Sequence, residues 1–431
     1  MRPYKEYKDS GVAWLGEMPK GWEIGNIGSV FQECNEKVSD KDYQPLSVTK
    51  KGIVPQLETV AKTDNGDERK LVRANDFVIN SRSDRRGSCG ISAQDGSVSL
   101  INTVLRPRRS NMDNLYYSFL FRSESFSDEF YRWGSGIVDD LWSTKWKSMK
   151  KISIPIPPFF TQSTIAAYLN CKTSAMDAVI ADKLHLIALL KEKRQAVITR
   201  AVTKGLESTT PMKDSGVEWI GDIPAGWEVK PFTQLFAFGR GLSITKADFE
   251  DMGIPCVSYG SIHSRYGFAL DTTIYSLPCV NEQYLRSSPD SLLNYGDFVF
   301  ADTSEDIEGA GNFTYLNSDE PVFAGYHTII AKNKNEQNCR YLAYLFESTP
   351  FRAQIRSKVF GIKVFSITQK ILKSTKVILP HPQEQDSIVA YLDKKTTTID
   401  TLVSDITTQI EKLKEYRQSM ISEAVTGKVE L

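Results

Sequence analysis

An internal repeat is the strongest constraint on the fold of this chain. Residues 9–22 read DSGVAWLGEMPKGW and residues 214–227 read DSGVEWIGDIPAGW, so nine of these fourteen positions are identical. Two further pairs follow: IAAYLNCKTSAMD at 165–177 with IVAYLDKKTTTID at 388–400, and RQAVITRAVT at 194–203 with RQSMISEAVT at 417–426. Repetition of this kind marks a duplicated structural unit. The chain therefore contains two copies of one unit.

The spacing of the repeats divides the chain into four segments. The first pair of motifs starts 205 residues apart (9 and 214), and the later pairs start 223 residues apart (165 and 388, 194 and 417), so the second copy carries longer loops. We predict a first domain at 1–158, a first spacer helix at 159–205, a second domain at 206–382 and a second spacer helix at 383–431.

The two spacer segments have the composition of long helices. Neither Gly nor Pro interrupts 164–204 or 387–426. About 40 residues at about 1.5 Å each give a helix of about 60 Å. Prolines precede each segment, and Gly205 and Gly427 follow as helix-terminating glycines commonly do.

A heptad pattern runs along both helices and predicts how they pack. Apolar residues recur at alternating spacings of four and three, which is typical of a coiled-coil seam. The seam positions are Met176, Ile180, Lys183, Ile187, Leu190, Arg194, Val197 and Ala201 in the first helix, and Ile399, Val403, Ile406, Ile410, Leu413, Arg417, Met420 and Ala424 in the second. We favour an antiparallel coiled coil between the two helices; the alternative is that each packs on its own domain as an ordinary amphipathic helix.

Arginine occupies the same seam position in both helices, as Arg194 and Arg417. A buried and unpaired guanidinium is costly, so each must pair across the seam or extend to the surface. A polar seam residue also fixes helix register in some coiled coils. We favour that role and expect leucine at both positions to leave the chain as stable or more so; a local salt bridge is the alternative.

The two domains mix strands and helices. Short β-rich runs such as DFVIN at 76–80 and DFVFAD at 297–302 alternate with turn signals, and one helix is predicted around 113–131 and another around 338–356. The fold class is therefore α+β: two repeated mixed domains separated by two long helices. Residues 30–75 and 236–295 barely align, as expected for domains that read different targets, or for simple drift after duplication.

Composition excludes several classes of protein. The 53 basic and 53 acidic residues cancel, which is unusual for a protein that binds DNA alone but is compatible with a basic face or a partner. Six scattered cysteines with four histidines predict neither a zinc site nor a disulfide framework, and suit a reducing cytoplasm. No stretch approaches a membrane span, so we expect a cytoplasmic protein without membrane contact.

These motifs, in this order, resemble one family. The element KDSGVEWIGDIPAGWEV (213–229) resembles the motif that opens each recognition domain in specificity subunits of Type I restriction-modification systems, and LPHPQEQDSIVAYLD (379–393) resembles the one that opens their conserved helices. GDFVFADTSED (296–306) and GYHTIIAK (325–332) resemble their target-recognition domains. The first copy departs twice: IPPFFTQSTI (156–165) lacks the acidic residue before Gln162, and INTVLRP (101–107) replaces the His327 motif.

The resemblance implies a function and its partners. Such a subunit binds double-stranded DNA, each domain reading one half of a split site. It binds two modification (methyltransferase) subunits along its helices, and restriction (motor-nuclease) subunits in some complexes. The modification subunits carry S-adenosylmethionine and methylate adenine N6, so no cofactor is expected here. A structural scaffold that binds only protein is the alternative function.

The chain lacks motifs for chemistry of its own, and we assign no catalytic or metal-binding residue. It has no NPPY-type methylation tetrapeptide, no P-loop and no dinucleotide fingerprint, which makes a self-sufficient DNA-cutting enzyme improbable. The acidic residues Asp302, Glu305, Asp306 and Glu308 are interpreted as a solvated loop rather than a metal site. His327 is interpreted as a hydrogen-bonded histidine at a strand edge rather than a general base.

Candidate DNA contacts are basic, polar and aromatic residues on irregular segments at the expected domain tips, where arginine suits both guanine and phosphate. A solvated surface is the alternative at each position. The candidates are Arg82, Arg85, Arg86, Trp142, Lys145 and Lys147 in the first domain, and Arg240, Lys246, Ser258, Tyr259, His263, Arg265 and Lys363 in the second.

Overall fold

The structure is a computed structural model that describes residues 2–56, 66–82, 86–137, 142–334, 337–361 and 363–431. The chain forms two compact units, Met1–Leu184 with Ile406–Leu431, and His185–Asp405. Each unit thus combines one domain of the repeat with one end of each long helix. The four-segment division of the sequence stays a prediction.

In its described residues, the first domain is built from short strands and four short helices. Its strands are β1 (Tyr7–Asp9), β2 (Glu17–Pro19), β3 (Glu23–Asn26), β4 (Phe31–Cys34), β5 (Lys37–Val38), β6 (Leu46–Thr49), β7 (Gly52–Pro55), β8 (Arg69–Val72), β9 (Phe77–Asn80), β10 (Cys89–Ile91), β11 (Gly96–Val98), β12 (Asn102–Pro107) and β13 (Ser153–Ile156). Its helices are α1 (Ile27–Val30), α2 (Asn114–Arg122), α3 (Glu124–Arg132) and α4 (Trp146–Met149), and the long helix α5 (Phe159–Lys204) follows.

The second domain repeats this order with additional elements. Its strands are β14 (Met212–Asp214), β15 (Asp222–Pro224), β16 (Glu228–Pro231), β17 (Phe236–Arg240), β18 (Ile254–Val257), β19 (Ala269–Leu270), β20 (Cys279–Val280), β21 (Leu292–Leu293), β22 (Phe298–Ala301), β23 (Thr303–Ser304), β24 (Phe313–Leu316), β25 (Val322–Ala324), β26 (Thr328–Asn333), β27 (Phe365–Ser366) and β28 (Lys376–Leu379). Its helices are α6 (Phe232–Leu235), α7 (Tyr259–Ser264), α8 (Tyr284–Ser287), α9 (Cys339–Glu347), α10 (Thr349–Arg356) and α11 (Gln369–Lys373), and the long helix α12 (Pro382–Val425) follows.

The central sheets of the two domains share their strand order and register. The first sheet runs β10-β9-β12-β4, and the second runs β24-β22-β26-β17 with β19 added at one side. Leu105 pairs with Phe77 in the first sheet as Ala331 pairs with Phe298 in the second. Strands β9 and β22 are buried along their whole length, which explains their nearly continuous apolar sequence. The sequence duplication is therefore also a duplication of the fold.

An aromatic residue at the same place holds each domain core together. Phe121 of α2 packs against Phe31, Phe77, Tyr117 and Phe126, with ring centroids 4.6–6.1 Å apart. Its counterpart in α9, Phe346, packs against six rings, the nearest being Phe351 at 4.5 Å. Large buried rings dominate core energetics. These clusters fix the sheet and the helices that cover it.

The single helix predicted in each domain is wrong in one respect, because two shorter helices occupy each segment. Ser123 breaks the first at φ −65° and ψ 147°, and its hydroxyl accepts a hydrogen bond from the Phe126 backbone N–H at the start of α3. Ser348 breaks the second in the same backbone conformation. The Ser123 hydroxyl thereby satisfies an orphan backbone donor. Ser348 makes no such bond, and its hydroxyl donates to the Leu345 carbonyl. The apolar periodicity continued across the break and concealed it.

A buried glutamine joins each domain to the start of its long helix. The Gln162 amide donates to the Pro157 carbonyl (2.8 Å) and its oxygen accepts from the Asp113 backbone N–H (3.0 Å). Gln385 makes the equivalent bonds to the Pro380 carbonyl (3.0 Å) and from the Asn338 backbone N–H (3.4 Å). The join is therefore preserved in the first copy, although that copy lacks the acidic residue before Gln162.

The long helices end and pair as the sequence predicts. Gly205 and Gly427 follow them with φ of +73° and +77°, the left-handed conformation that glycine adopts without a steric penalty. All sixteen seam positions are buried or half-buried. In the first unit Lys183 donates to Gln409 (2.6 Å) and Arg417 donates to Asp177 (3.4 Å). An earlier residue of α5 thus pairs with a later residue of α12. This pairing is antiparallel.

The two seam arginines have different surroundings. Arg194 binds Glu347 (2.8 Å) and Asp400 (3.0 Å), and its side chain is 20% exposed. Arg417 pairs with Asp177 at 3.4 Å, and its side chain is 34% exposed. Asp400 in the second unit matches Asp177 in the first, so Glu347 is the additional partner of Arg194. Its counterpart in the first domain is Arg122, which gives Arg417 no second carboxylate. This difference replaces our expectation that both arginines are dispensable for stability.

We therefore expect Arg194→Leu and Arg417→Leu to differ in effect. Arg194→Leu should lower the free energy of unfolding by about 1–3 kcal/mol, because Glu347 loses its cation and has one oxygen that is buried and without a partner. Arg417→Leu should change it by less than about 1 kcal/mol, because the 3.4 Å pair with the exposed Asp177 is weak and the variant also removes the Arg417 Nε, which is buried without a partner. Urea unfolding of each variant measures the difference. Equal losses would contradict the asymmetry.

No helix among the described residues combines the length and apolarity needed to cross a lipid bilayer.

Candidate nucleic-acid interface

Each domain presents the same edge of its central sheet to solvent. In the first domain the edge comprises the end of β9, the start of β12 and the segment 142–147, which Arg82 joins through a β-bridge to Ser143. In the second it comprises the end of β22, the start of β26 and strand β27, which pairs with β23. We call these surfaces the first edge and the second edge. Residues far apart in sequence meet at both.

The first edge is a groove rich in hydrogen-bond donors. Arg82, Lys145 and Lys147 line it together with Lys70 and Lys150. Leu100 and Ile101 line it as well, and both are exposed. Among the described residues, Glu33 is the one carboxylate that lines the groove, and it lies 3.5 Å from Lys70. Such a surface can bind phosphates and the acceptor atoms of guanine.

A stacked cluster adjoins the first edge. The Arg86 guanidinium lies 3.9 Å from the Tyr131 ring centroid and 3.2 Å from the Asp128 carboxylate. The Trp142 ring packs on Tyr131 at 5.5 Å, and its indole N–H donates to the Tyr131 carbonyl at 3.0 Å. Trp142 therefore supports the tyrosine that orients Arg86. Arg85 lies outside the described residues.

The second edge is lined by different chemistry. Tyr259 and His263 line its groove together with Glu305, Asp306 and Glu308. Beside it, His327 lies with its Nδ1 3.2 Å from Asp302 Oδ1 and its ring 5.3 Å from the Tyr259 ring. The two edges thus occupy equivalent places in the fold, yet the first is rich in donors and the second in acceptors.

His263 was predicted to contact DNA, but both of its ring nitrogens are engaged within the domain. Nε2 donates to the Thr303 carbonyl (2.8 Å), and Nδ1 accepts from the Asn312 amide (2.9 Å). The Asn312 oxygen in turn accepts from Arg352 (2.7 Å). Burial and the neighbouring Arg356 lower the pKa of Arg352 to about 10, which still leaves it charged at neutral pH. His263 holds Thr303 in place and has no nitrogen left for a base.

The other candidates in the second domain are dispersed. Ser258, the residue before helix α7, is buried, so its hydroxyl is a poor candidate for DNA contact. Arg240 ends β17, Lys246 lies in the short helical turn Lys246–Asp248, and Arg265 follows α7; all three are exposed and none lines the groove. Lys363 lies next to Val364, which does line it.

A basic segment lies close to the second edge, and the sequence predicted only Lys363 of it as a DNA contact. Residues 352–376 contain seven Lys and Arg residues and no Asp or Glu. Lys358, Lys363, Lys370 and Lys373 are exposed along it. The sequence feature that could have revealed this segment is its lack of Asp and Glu, in a chain whose basic and acidic residues are equal in number. We call residues 352–376 the basic segment, and its composition suits phosphate contact.

Among the described residues, no group of three or more His, Cys, Asp and Glu side chains is arranged to hold a metal ion. Two of the four carboxylates at 302–308 take part in local contacts: Asp306 accepts from the Gly309 backbone N–H (2.6 Å), and Asp302 faces His327.

Comparison with known proteins identifies similar sequences. Residues 224–412 match the family model described as the Type I restriction modification DNA specificity domain. The chain is 25% identical over 445 residues to the Type I restriction enzyme MjaVIII specificity subunit of Methanocaldococcus jannaschii, covering 100% of this chain and 97% of that one. It is 24% identical over 441 residues to the EcoKI specificity subunit of Escherichia coli, covering 96% and 90%.

Solved structures show the same fold. A chain from a study of complex assembly and conformational transition in the type I restriction-modification system matches with a TM-score of 0.73 at 15% identity, covering 96% of this chain and 99% of that chain. The HsdS subunit of Thermoanaerobacter tengcongensis matches with a TM-score of 0.51 at 17% identity, covering 96% and 98%.

Proposed function

We propose that the chain is a specificity subunit of the Type I restriction-modification family and that it reads a bipartite double-stranded DNA site. The main support for the proposal is that the first edge and the second edge occupy equivalent places in the two domains. One fold presents the same surface twice, once rich in donors and once rich in acceptors. A target with two different half-sites is what such a pair of surfaces suits.

The proposal extends to the partners. The long helices end in domain cores at both units, and their outer faces remain exposed along much of their length. These faces would bind two modification subunits, which would carry S-adenosylmethionine and methylate adenine N6 near each half-site. Restriction subunits would join the same assembly. The chain itself is a non-catalytic recognition subunit, so its contribution is to select the DNA.

Binding by the assembled complex tests this function. The chain is combined with its modification subunits, and fluorescence anisotropy at one fixed salt concentration compares a duplex bearing the methylated site with an unrelated duplex. We expect the site to bind about 10³-fold more tightly, as for other sequence-specific complexes. The modification subunits alone serve as the control, and the isolated chain should not turn over S-adenosylmethionine. Equal binding of both duplexes would favour a scaffold that binds only protein.

A further inference from the structure

His327 adopts a backbone conformation that side chains normally avoid. Its φ is +54°, and among the described residues only Asn75 shares a positive φ without being glycine. Histidine adopts this conformation more often than most non-glycine residues, but its Cβ still meets the backbone clash that only glycine escapes. Strained residues persist where the surrounding structure holds them, and they cluster at functional sites.

The shared fold does not require the strain at His327. The Asp302 backbone N–H donates to the His327 carbonyl (3.1 Å), as the Ser81 N–H donates to Ile101 (3.4 Å) in the first domain, so Ile101 is its counterpart. Ile101 is a described residue without a positive φ. Asn75 differs, because its counterpart Gly296 also has a positive φ, of +81°. A turn common to both domains explains Asn75, whereas the conformation of His327 belongs to the second domain alone.

Among the described residues, Nδ1 of His327 has a hydrogen-bond partner and Nε2 has none. The side chain is 57% exposed, and Nδ1 faces Asp302. A carboxylate can only accept a hydrogen bond, so Nδ1 carries the proton, and in the neutral ring Nε2 keeps its lone pair. Tyr259 and Tyr326 contact the ring edge-on and restrict its orientation. In the neutral ring, Nε2 of His327 is therefore an acceptor of fixed orientation, unlike His263, whose two nitrogens are both bonded inside the domain.

We infer that His327 reads a base in the second half-site by accepting a hydrogen bond at Nε2 from an exocyclic amino group, adenine N6 or cytosine N4. The inference rests on the proposed function. An acceptor cannot bind phosphate oxygens, and the groove beside it is lined by Glu305, Asp306 and Glu308, which repel them. In the major groove those amino groups are the donors available to it. Asp302 is a positioning residue that keeps the proton on Nδ1.

The variant His327→Gly separates a reading role from a structural one. Glycine accepts a positive φ without strain, so the urea midpoint of unfolding should stay unchanged or rise. Affinity of the assembled complex for its site should nevertheless fall about 10- to 100-fold, the usual range for loss of one base contact. Affinity for unrelated DNA should not change. Asn75→Gly is the matched control, since it relieves the same conformation in the other domain, and it should leave both affinities unchanged.

Base analogues identify the group that is read. In methylome sequencing of cells carrying His327→Gly, one position of the second half-site should become degenerate. Removing the amino group there, with purine for adenine or 2-pyrimidinone for cytosine, should weaken wild-type binding about tenfold and the variant not at all. Three results would overturn the inference: affinity losses from His327→Gly and the base analogue that add, an unchanged methylated site, or a lower stability of His327→Gly. A wild-type complex without sequence preference would instead overturn the proposed function.

Discussion

Replacing Lys358, Lys363, Lys370 and Lys373 together with glutamine is expected to weaken DNA binding by the assembled complex about a thousandfold at 0.1 M salt. Each phosphate contact contributes about 0.9 to the slope of log affinity against log salt concentration. Four lost contacts should therefore reduce that slope by about 3.6. The preference for the site over unrelated DNA should change little, because phosphate contacts carry no sequence information.

A matched variant excludes a general effect of net charge. Lys5, Lys41, Lys51 and Lys213 are exposed, lie on neither long helix and line neither groove, and replacing them with glutamine lowers the charge of the chain by the same amount. Anisotropy titrations at four salt concentrations give both slopes. We expect this control variant to keep the wild-type slope. If both variants lost the same slope, the basic segment would have no special part in binding.

The sequence was sufficient for the frame of the molecule. Motifs such as DSGVEWIGDIPAGW recur in the same order, 205 or 223 residues apart. The heptad pattern of each long helix independently predicted the same coiled-coil seam. Period and repetition survive in sequence because every residue of a helix face contributes to them. The breaks at Ser123 and Ser348 were missed, since the apolar pattern runs through a cap that only backbone angles reveal.

The edges were harder to predict because they are assembled across long distances in the chain. Arg82 joins Lys145 and Lys147 only through the bridge to Ser143. Ser258 and His263 were chosen by residue type and loop position. Residue type and loop position do not reveal that Ser258 is buried or that both ring nitrogens of His263 are bonded. His327 was interpreted as a hydrogen-bonded histidine, which is correct for Nδ1, but its strained backbone has no signal in the sequence. Chemistry at a site depends on the partners of each atom.

Exchange of one domain interior between relatives tests the central claim, that each domain reads its own half of the site. Residues 30–150 contain the first edge and the strands that support it, while the first motif, the buried Gln162 and both long helices remain outside the exchange. The frame that joins the domain to the helices is thereby kept. Assembly with the modification subunits should be unaffected, which co-purification checks.

The measurement is methylome sequencing of a host that expresses the modification subunits with either the parental chain or the chain carrying residues 30–150 of a relative. The account predicts that one half of the methylated site changes to that of the relative, while the other half and the spacing between them stay the same. A change in both halves, or in neither, would contradict it.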